Sequence, residues 1–182
     1  MNLLNVIAIR RRRRSNPKLE WDCFVVSLLA MTEMDMATIV DGNQIAEGIL
    51  KELGIRNHEL GKKGITPRLA VLLVGENTAS VSYVRIKQKK AAEIGVDVIL
   101  KQFPETAEEK DVIAEIKRQN LDAKIHGIIV QLPLPKAMNP EVVLSAITPK
   151  KDVDCLTEEN KTKLAEGQQP FFDPPAAAAI LE

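Results

Sequence analysis

Leu69 to Val74 is an unbroken apolar run that ends in Gly75. A strand with one wet face alternates apolar and polar residues, so a run without polar partners must be covered on both sides. Ile125 to Leu132 is a second run of this kind, and Val96 to Phe103 reads as another strand. Helical patterns separate them. Ser80 to Ile94 precedes Gly95, where a helix-terminating glycine belongs, and Glu105 to Gln119 carries Val112, Ile113 and Ile116 inward. This order predicts an α/β fold, a single domain in which a three-layer parallel sheet is flanked by helices. Ligands of such sheets lie beyond the carboxyl ends of the strands. The loop Gly75 to Ala79 and the segment Gln131-Leu132-Pro133-Leu134-Pro135 should then share one rim.

The remaining elements follow from local signals. Thr38 to Val40 is a short apolar entry, and Asp41 can cap a helix with Ile45, Ile49 and Leu53 on one stripe. Gly54 is expected to bend or end that helix, and Gly61, Gly64 and Pro67 to form a turn. Pro140 to Ile147, Thr157 to Ala165 and Ala176 to Leu181 read as further helices.

With 25 basic and 25 acidic residues the net charge is +0, which gives nucleic acid or a membrane surface nothing to steer toward. An aromatic content of 3% leaves no stacking platform for bases. Cys23 and Cys155 are too few for a disulfide framework, so a reducing, cytoplasmic setting is the default. His58 and His126 lack metal-ligand spacing, and no metal site is expected. Residues 1–35 read as an extension foreign to the rest. Arg10 to Arg14 is a run of five arginines, followed by Cys23 to Met31, an apolar stretch too short to span a bilayer. A disordered extension and an arginine-rich organellar presequence both fit it. The catalytic unit is placed at 36–172, and 173–182 is read as the start of a linker helix.

Three constellations carry chemistry. Tyr83 and Lys87 are four residues apart on a predicted helix, hence on one face, where a phenol and an amine make a proton-transfer pair. The bland reading is a solvated basic face, given Arg85, Lys89 and Lys90. Gln131 at a strand end offers a ligand both a donor and an acceptor, or bonds its own backbone. Asp152-Val153-Asp154, if extended, points two carboxylates one way, toward the N–H groups of a heterocycle; otherwise it is a turn neutralised by Lys150 and Lys151. No Gly-x-Gly-x-x-Gly, Walker or Gly-x-Ser-x-Gly sequence occurs, so no nucleotide-phosphate site is expected in these residues.

Taken together, Val40-Asp41-Gly42, Val74-Gly75 through Tyr83-Val84-Arg85-Ile86-Lys87, Gly127 through Pro135, and Lys151-Asp152-Val153-Asp154 resemble a known family. It is the bifunctional methylenetetrahydrofolate dehydrogenase/methenyltetrahydrofolate cyclohydrolase family, and the likeness runs from about Met36 to Phe172. The resemblance implies an enzyme of one-carbon folate chemistry. Methylene-tetrahydrofolate passes a hydride to NADP or NAD, and water then opens the methenyl cation to formyl-tetrahydrofolate. It implies Lys87 as the catalytic lysine, with Tyr83 and Gln131 assisting. Tyr83, Ser80, Gln131, Pro133 and Asp154 are the implied folate contacts, with Asp154 on the pterin edge. The implied partner is the folate alone, without nucleic acid or membrane.

Two departures from the family pattern stand out. Cys155 occupies a position where the family has glycine, which puts the local backbone in question. Phe171 to Ala179 lacks the thiol and hydroxyl that the family's Pro-Cys-Thr-Pro segment carries. The family's Rossmann-type nicotinamide domain, on which its homodimers lean, is expected beyond Glu182, so this chain reads as truncated before it. This chain alone is expected to retain at most the cyclohydrolase step, which needs only folate, lysine and water, and only weak activity in it. A folate-binding remnant that needs a partner, and a Schiff-base enzyme built on Lys87, are the alternatives.

Overall fold

The computed structural model describes residues 41–181. The predicted extension, the Thr38 to Val40 entry, Cys23 and the start at Met36 lie outside them. Three strands, β1 (Arg68–Val74), β2 (Asp97–Phe103) and β3 (Gly127–Val130), form a parallel sheet in the order β2-β1-β3. The register runs from Arg68 opposite Asp97 to Val74 opposite Phe103, and from Leu69 opposite Gly127 to Leu72 opposite Val130. The central place of β1 explains its continuous apolar run. Ala70, Leu72 and Val74 face a core built with Val112 and Ile116 of α3 (Glu109–Leu121) and Val143 and Leu144. Val71 faces the other way, onto Val84 of α2 (Thr78–Glu93) and Ile129. Residues alternate between two buried faces, as the pleat requires. Each fully buried Val or Leu is worth roughly 1.5–3 kcal/mol over exposure.

The helices begin where local chemistry allows. Asp41 Oδ1 accepts from Asn43 N–H at 2.9 Å and caps α1 (Gly42–Lys62). Asn77 Oδ1 accepts from Ser80 N–H at 3.1 Å and opens α2. Asn139, with Pro140 in the first turn, opens α4 (Pro140–Ser145). Gly75 and Gly95 take φ values of 80° and 74°, and so let the chain leave β1 and α2.

Two expectations about α1 need correction. Gly54 neither ends nor interrupts α1, which runs on to Lys62. A single interior glycine costs only about 1 kcal/mol, which neighbouring turns absorb. The stripe of α1 is also not a core face among the described residues: none of its residues is buried, and Ile49 and Leu53 are 40% and 37% exposed.

The Asp-Val-Asp segment is not extended either. Pro149–Lys151 is a short 3-10 turn, Val153 N–H bonds back to Lys151 C=O, and only Asp152 bridges to the sheet, beside Ile128 of β3. Gly127 makes room for this segment: a Cβ there would fall 2.6 Å from Val153 Cγ1. The chain continues into α5 (Glu158–Ala165) and α6 (Pro175–Leu181).

Candidate functional site

The carboxyl ends of β1 and β3 carry the predicted rim. After β1, Gly75 to Asn77 leads into α2, and Ser80, Tyr83 and Lys87 follow within its first turns. Ser80 is buried, 4% exposed, in the turn that Asn77 caps. Tyr83 is 55% exposed, and Lys87 Nζ lies over its ring at 4.8 Å from the centroid. Lys87 is half-buried, so it is not part of a wholly solvated face. After β3, Gln131 Oε1 approaches Lys87 Nζ to 3.5 Å, at the outer reach of a hydrogen bond. Gln131 Nε2 donates to Leu132 C=O at 2.9 Å. The reading of Gln131 as an amide that bonds its own backbone therefore holds, and its oxygen also approaches the lysine. Pro133 is exposed next to it on the rim.

The two carboxylates part company. Asp152 is 1% exposed. Its Oδ2 accepts from Thr157 N–H at 2.8 Å, Thr157 Oγ1 at 2.7 Å and Asn160 Nδ2 at 2.9 Å, and its Oδ1 accepts from Leu156 N–H at 3.1 Å. A carboxylate so fully engaged is a fastening. Asp154 is half-buried. Burial pushes its carboxyl above the ordinary carboxylate range, the charge of Lys87 opposes that, and the Asp152 carboxylate adds to it. Lys87 and Asp154 thus feel each other across the rim, one from α2 and one from the turn beyond β3.

Neither neighbouring lysine neutralises that turn in the way the bland reading had it. Lys151 Nζ donates to Gln119, Asn120 and Asp122 C=O at 3.0, 2.8 and 2.8 Å, which caps the carboxyl end of α3. Burial pushes its pKa down, with the Asp122 carboxylate opposing. Lys150 Nζ instead lies 5.9 Å from the Phe171 ring.

Cys155 adopts φ 57°, a left-handed conformation rare for a residue with a side chain, and is 4% exposed. The glycine-type backbone expected here is kept although the residue is not glycine. Burial, then the carboxylates of Asp152 and Asp173, push the thiol pKa up, so the sulfur stays protonated and unreactive. Thr157 and Asn160 escaped the sequence reading. The only signal was a helix start at Thr157 followed by two glutamates, and its hydroxyl bonds Asp152 rather than capping α5.

A separate cavity of about 330 Å³ opens at the amino ends of β1 and β3, lined by Ile65, Arg68, Lys124 and His126 among others. It shares no residue with the rim. Arg68 is occupied there, its backbone N–H bonding His126 Nδ1 at 3.1 Å and its side chain pairing with Asp97 at 3.0 Å. No helix among the described residues is long and apolar enough to cross a membrane.

Residues 40–154 match the family model described as tetrahydrofolate dehydrogenase/cyclohydrolase, catalytic domain. The chain is 44% identical over 133 residues to the bifunctional protein FolD of Enterococcus faecalis, an overlap of 73% of this chain and 47% of that protein. Rickettsia bellii FolD is 43% identical over 151 residues, 81% of this chain and 52% of the relative. The chain thus spans about half the length of the curated relatives it matches. Among solved structures, the bifunctional FolD of Campylobacter jejuni superposes with a TM-score of 0.77 at 35% identity, over 79% of this chain and 51% of that one. The Trypanosoma brucei enzyme, solved with NADP cofactor and an inhibitor, gives 0.75 at 34% identity, over 80% and 50%.

Proposed function

The chain belongs to the tetrahydrofolate dehydrogenase/cyclohydrolase family, and on that premise we propose that its rim binds a reduced folate and that Lys87 drives hydrolysis of methenyl-tetrahydrofolate. The observation that carries this reading is the meeting of Lys87, Tyr83 and Gln131 at the strand ends, with Asp154 in the field of the same amine. In the proposed reaction water adds to the methenyl carbon, and one of its two protons passes to Lys87 Nζ in its unprotonated amine form. One carbon–nitrogen bond then breaks, the released ring nitrogen takes that proton, the added hydroxyl gives its remaining proton to solvent water as it becomes the formyl C=O, and formyl-tetrahydrofolate leaves. Gln131 holds the amine in place, and the exposed Tyr83 ring stacks on the pterin. Asp154 accepts from the pterin N–H edge, and Ser80 and Pro133 border the ligand.

For the family's oxidative step NADP or NAD would accept the hydride. The residues described here do not fit such a cofactor. Gly75, between β1 and α2, turns the chain with φ 80° and is followed by Glu76 and Asn77, with no further glycine to form a phosphate-binding loop before α2. No hydride step is routed through these residues.

Loss of methenyl absorbance in the presence of the chain tests the reading. Lys87→Ala is expected to slow it by at least about a hundredfold, the lower range for a lost acid–base group. Tetrahydrofolate binding without hydrolysis would leave a folate-binding module that needs a partner. Borohydride trapping of a carbonyl compound on Lys87 would replace the folate reading with Schiff-base chemistry.

A further inference from the structure

The fastening around Asp152 reaches further than the turn it closes. Asn160, fully buried, donates through Nδ2 to both Asp152 Oδ2 and Pro149 C=O, the latter at 3.0 Å. Its Oδ1 accepts from Phe171 N–H at 3.4 Å. One side chain therefore ties the Asp152 turn to a segment eleven residues beyond Asn160. That segment is held at its other side by cations: Lys163 Nζ lies 4.2 Å and Lys150 Nζ 5.9 Å from the Phe171 ring centroid. Two residues on, Asp173 is close enough to Cys155 to act on its thiol. The turn that carries Asp154 and the backbone of Phe171 thus share one buried anchor, although neither residue belongs to a helix or strand.

We propose that Asp152 is a positioning residue for the folate site, whose buried carboxylate sets Asp154 and the Phe171–Asp173 segment in one joint geometry. This rests on the folate reading above. Asp152 touches no ligand; it acts through the two groups it holds. Lys87 and Gln131 stand on α2 and at the end of β3, outside this network, so the amine side of the site keeps its shape when the network is cut.

The test is the dissociation constant of tetrahydrofolate for the 182-residue chain, together with amide exchange at Phe171. Asp152→Asn keeps size and removes the charge-assisted bonds. It is expected to weaken binding about tenfold, as loss of a charged hydrogen-bond acceptor does. Thr157→Val, a milder cut that leaves the Asn160 bond, is expected to weaken it about threefold, and Thr157→Ser to restore it. In an Asp154→Asn background the effect of Asp152→Asn should shrink, because one of the two groups it acts through is gone. Equal weakening in both backgrounds, or a lower melting temperature with unchanged affinity, overturns the positioning role. Faster exchange at Phe171 in Asp152→Asn is the expected sign of the tie. Unchanged exchange there overturns the tie whatever the folate result. Faster exchange in a chain that binds no folate overturns the folate reading and leaves the tie standing.

Discussion

Tyr83 and Lys87 stand on a helix whose start, spacing and end are all local, whereas Asp154 stands in a turn that groups from three other places hold. On the amine side, Asn77 caps α2, a four-residue spacing aligns the two side chains, and Gly95 follows the end. Remove a side chain there and the backbone still has its helix. On the carboxylate side there is no helix or strand to fall back on. Asp152, Thr157 and Asn160 satisfy one another, and Gly127 of the sheet must stay bare for Val153 to fit. The amine side is cheap to alter and chemically exposed; the carboxylate side is rigid because its polar groups are buried together.

The comparison breaks first at Asp152. Asp152→Ala leaves Thr157 N–H, Thr157 Oγ1, Leu156 N–H and the Asn160 amide without their acceptor. Urea denaturation is expected to show a loss of about 3–5 kcal/mol, the range for breaking a buried charged cluster. Lys87→Ala in the same assay should stay within about 0.5 kcal/mol, as for a substitution outside the core. If the two losses are alike, the contrast between the walls fails.

A second, smaller effect is expected at Cys155. A branched side chain tolerates φ 57° poorly, so Cys155→Val should be less stable than Cys155→Ala by about 2 kcal/mol. Val and Ala of equal stability would mean that the turn relaxes freely and is not rigid.

The smallest effect concerns Asp154. Its carboxyl is raised in the folded chain, chiefly by burial. The native state therefore keeps this proton at pH values where the unfolded chain has released it. Stability falls as pH rises from the ordinary carboxylate range through the raised value, and the cost is fully present above it. Asp154→Asn should flatten that fall and raise the neutral-pH melting temperature slightly, while weakening tetrahydrofolate binding. A steeper fall in the variant would reverse the assigned direction.

The order of strands and helices was legible because buried parallel strands and capped helices leave their marks within a few residues. Leu69 to Val74 reads as a doubly covered strand, and it is one. The common helix face of Tyr83 and Lys87 was legible for the same reason, and so was the position of Gln131 beyond a strand end. The pair Asp152 and Asp154 was not. Alternation assigned them one direction, but a 3-10 turn precedes them and Asn160 and Thr157 claim the first. Nor did composition tell that Lys151 caps α3 rather than neutralising the aspartates.

By itself the amino-acid order determined the layered α/β architecture, the helix that pairs a phenol with an amine, and the family to which these motifs belong. Those depend on short-range periodicity and on capping. Only the tertiary structure decided which aspartate is buried and bonded to Thr157 and Asn160, that Cys155 takes a backbone suited to glycine, and that Phe171 is tied to the same anchor. Each of these depends on which polar groups meet in a place without water, and partners distant in sequence settle that.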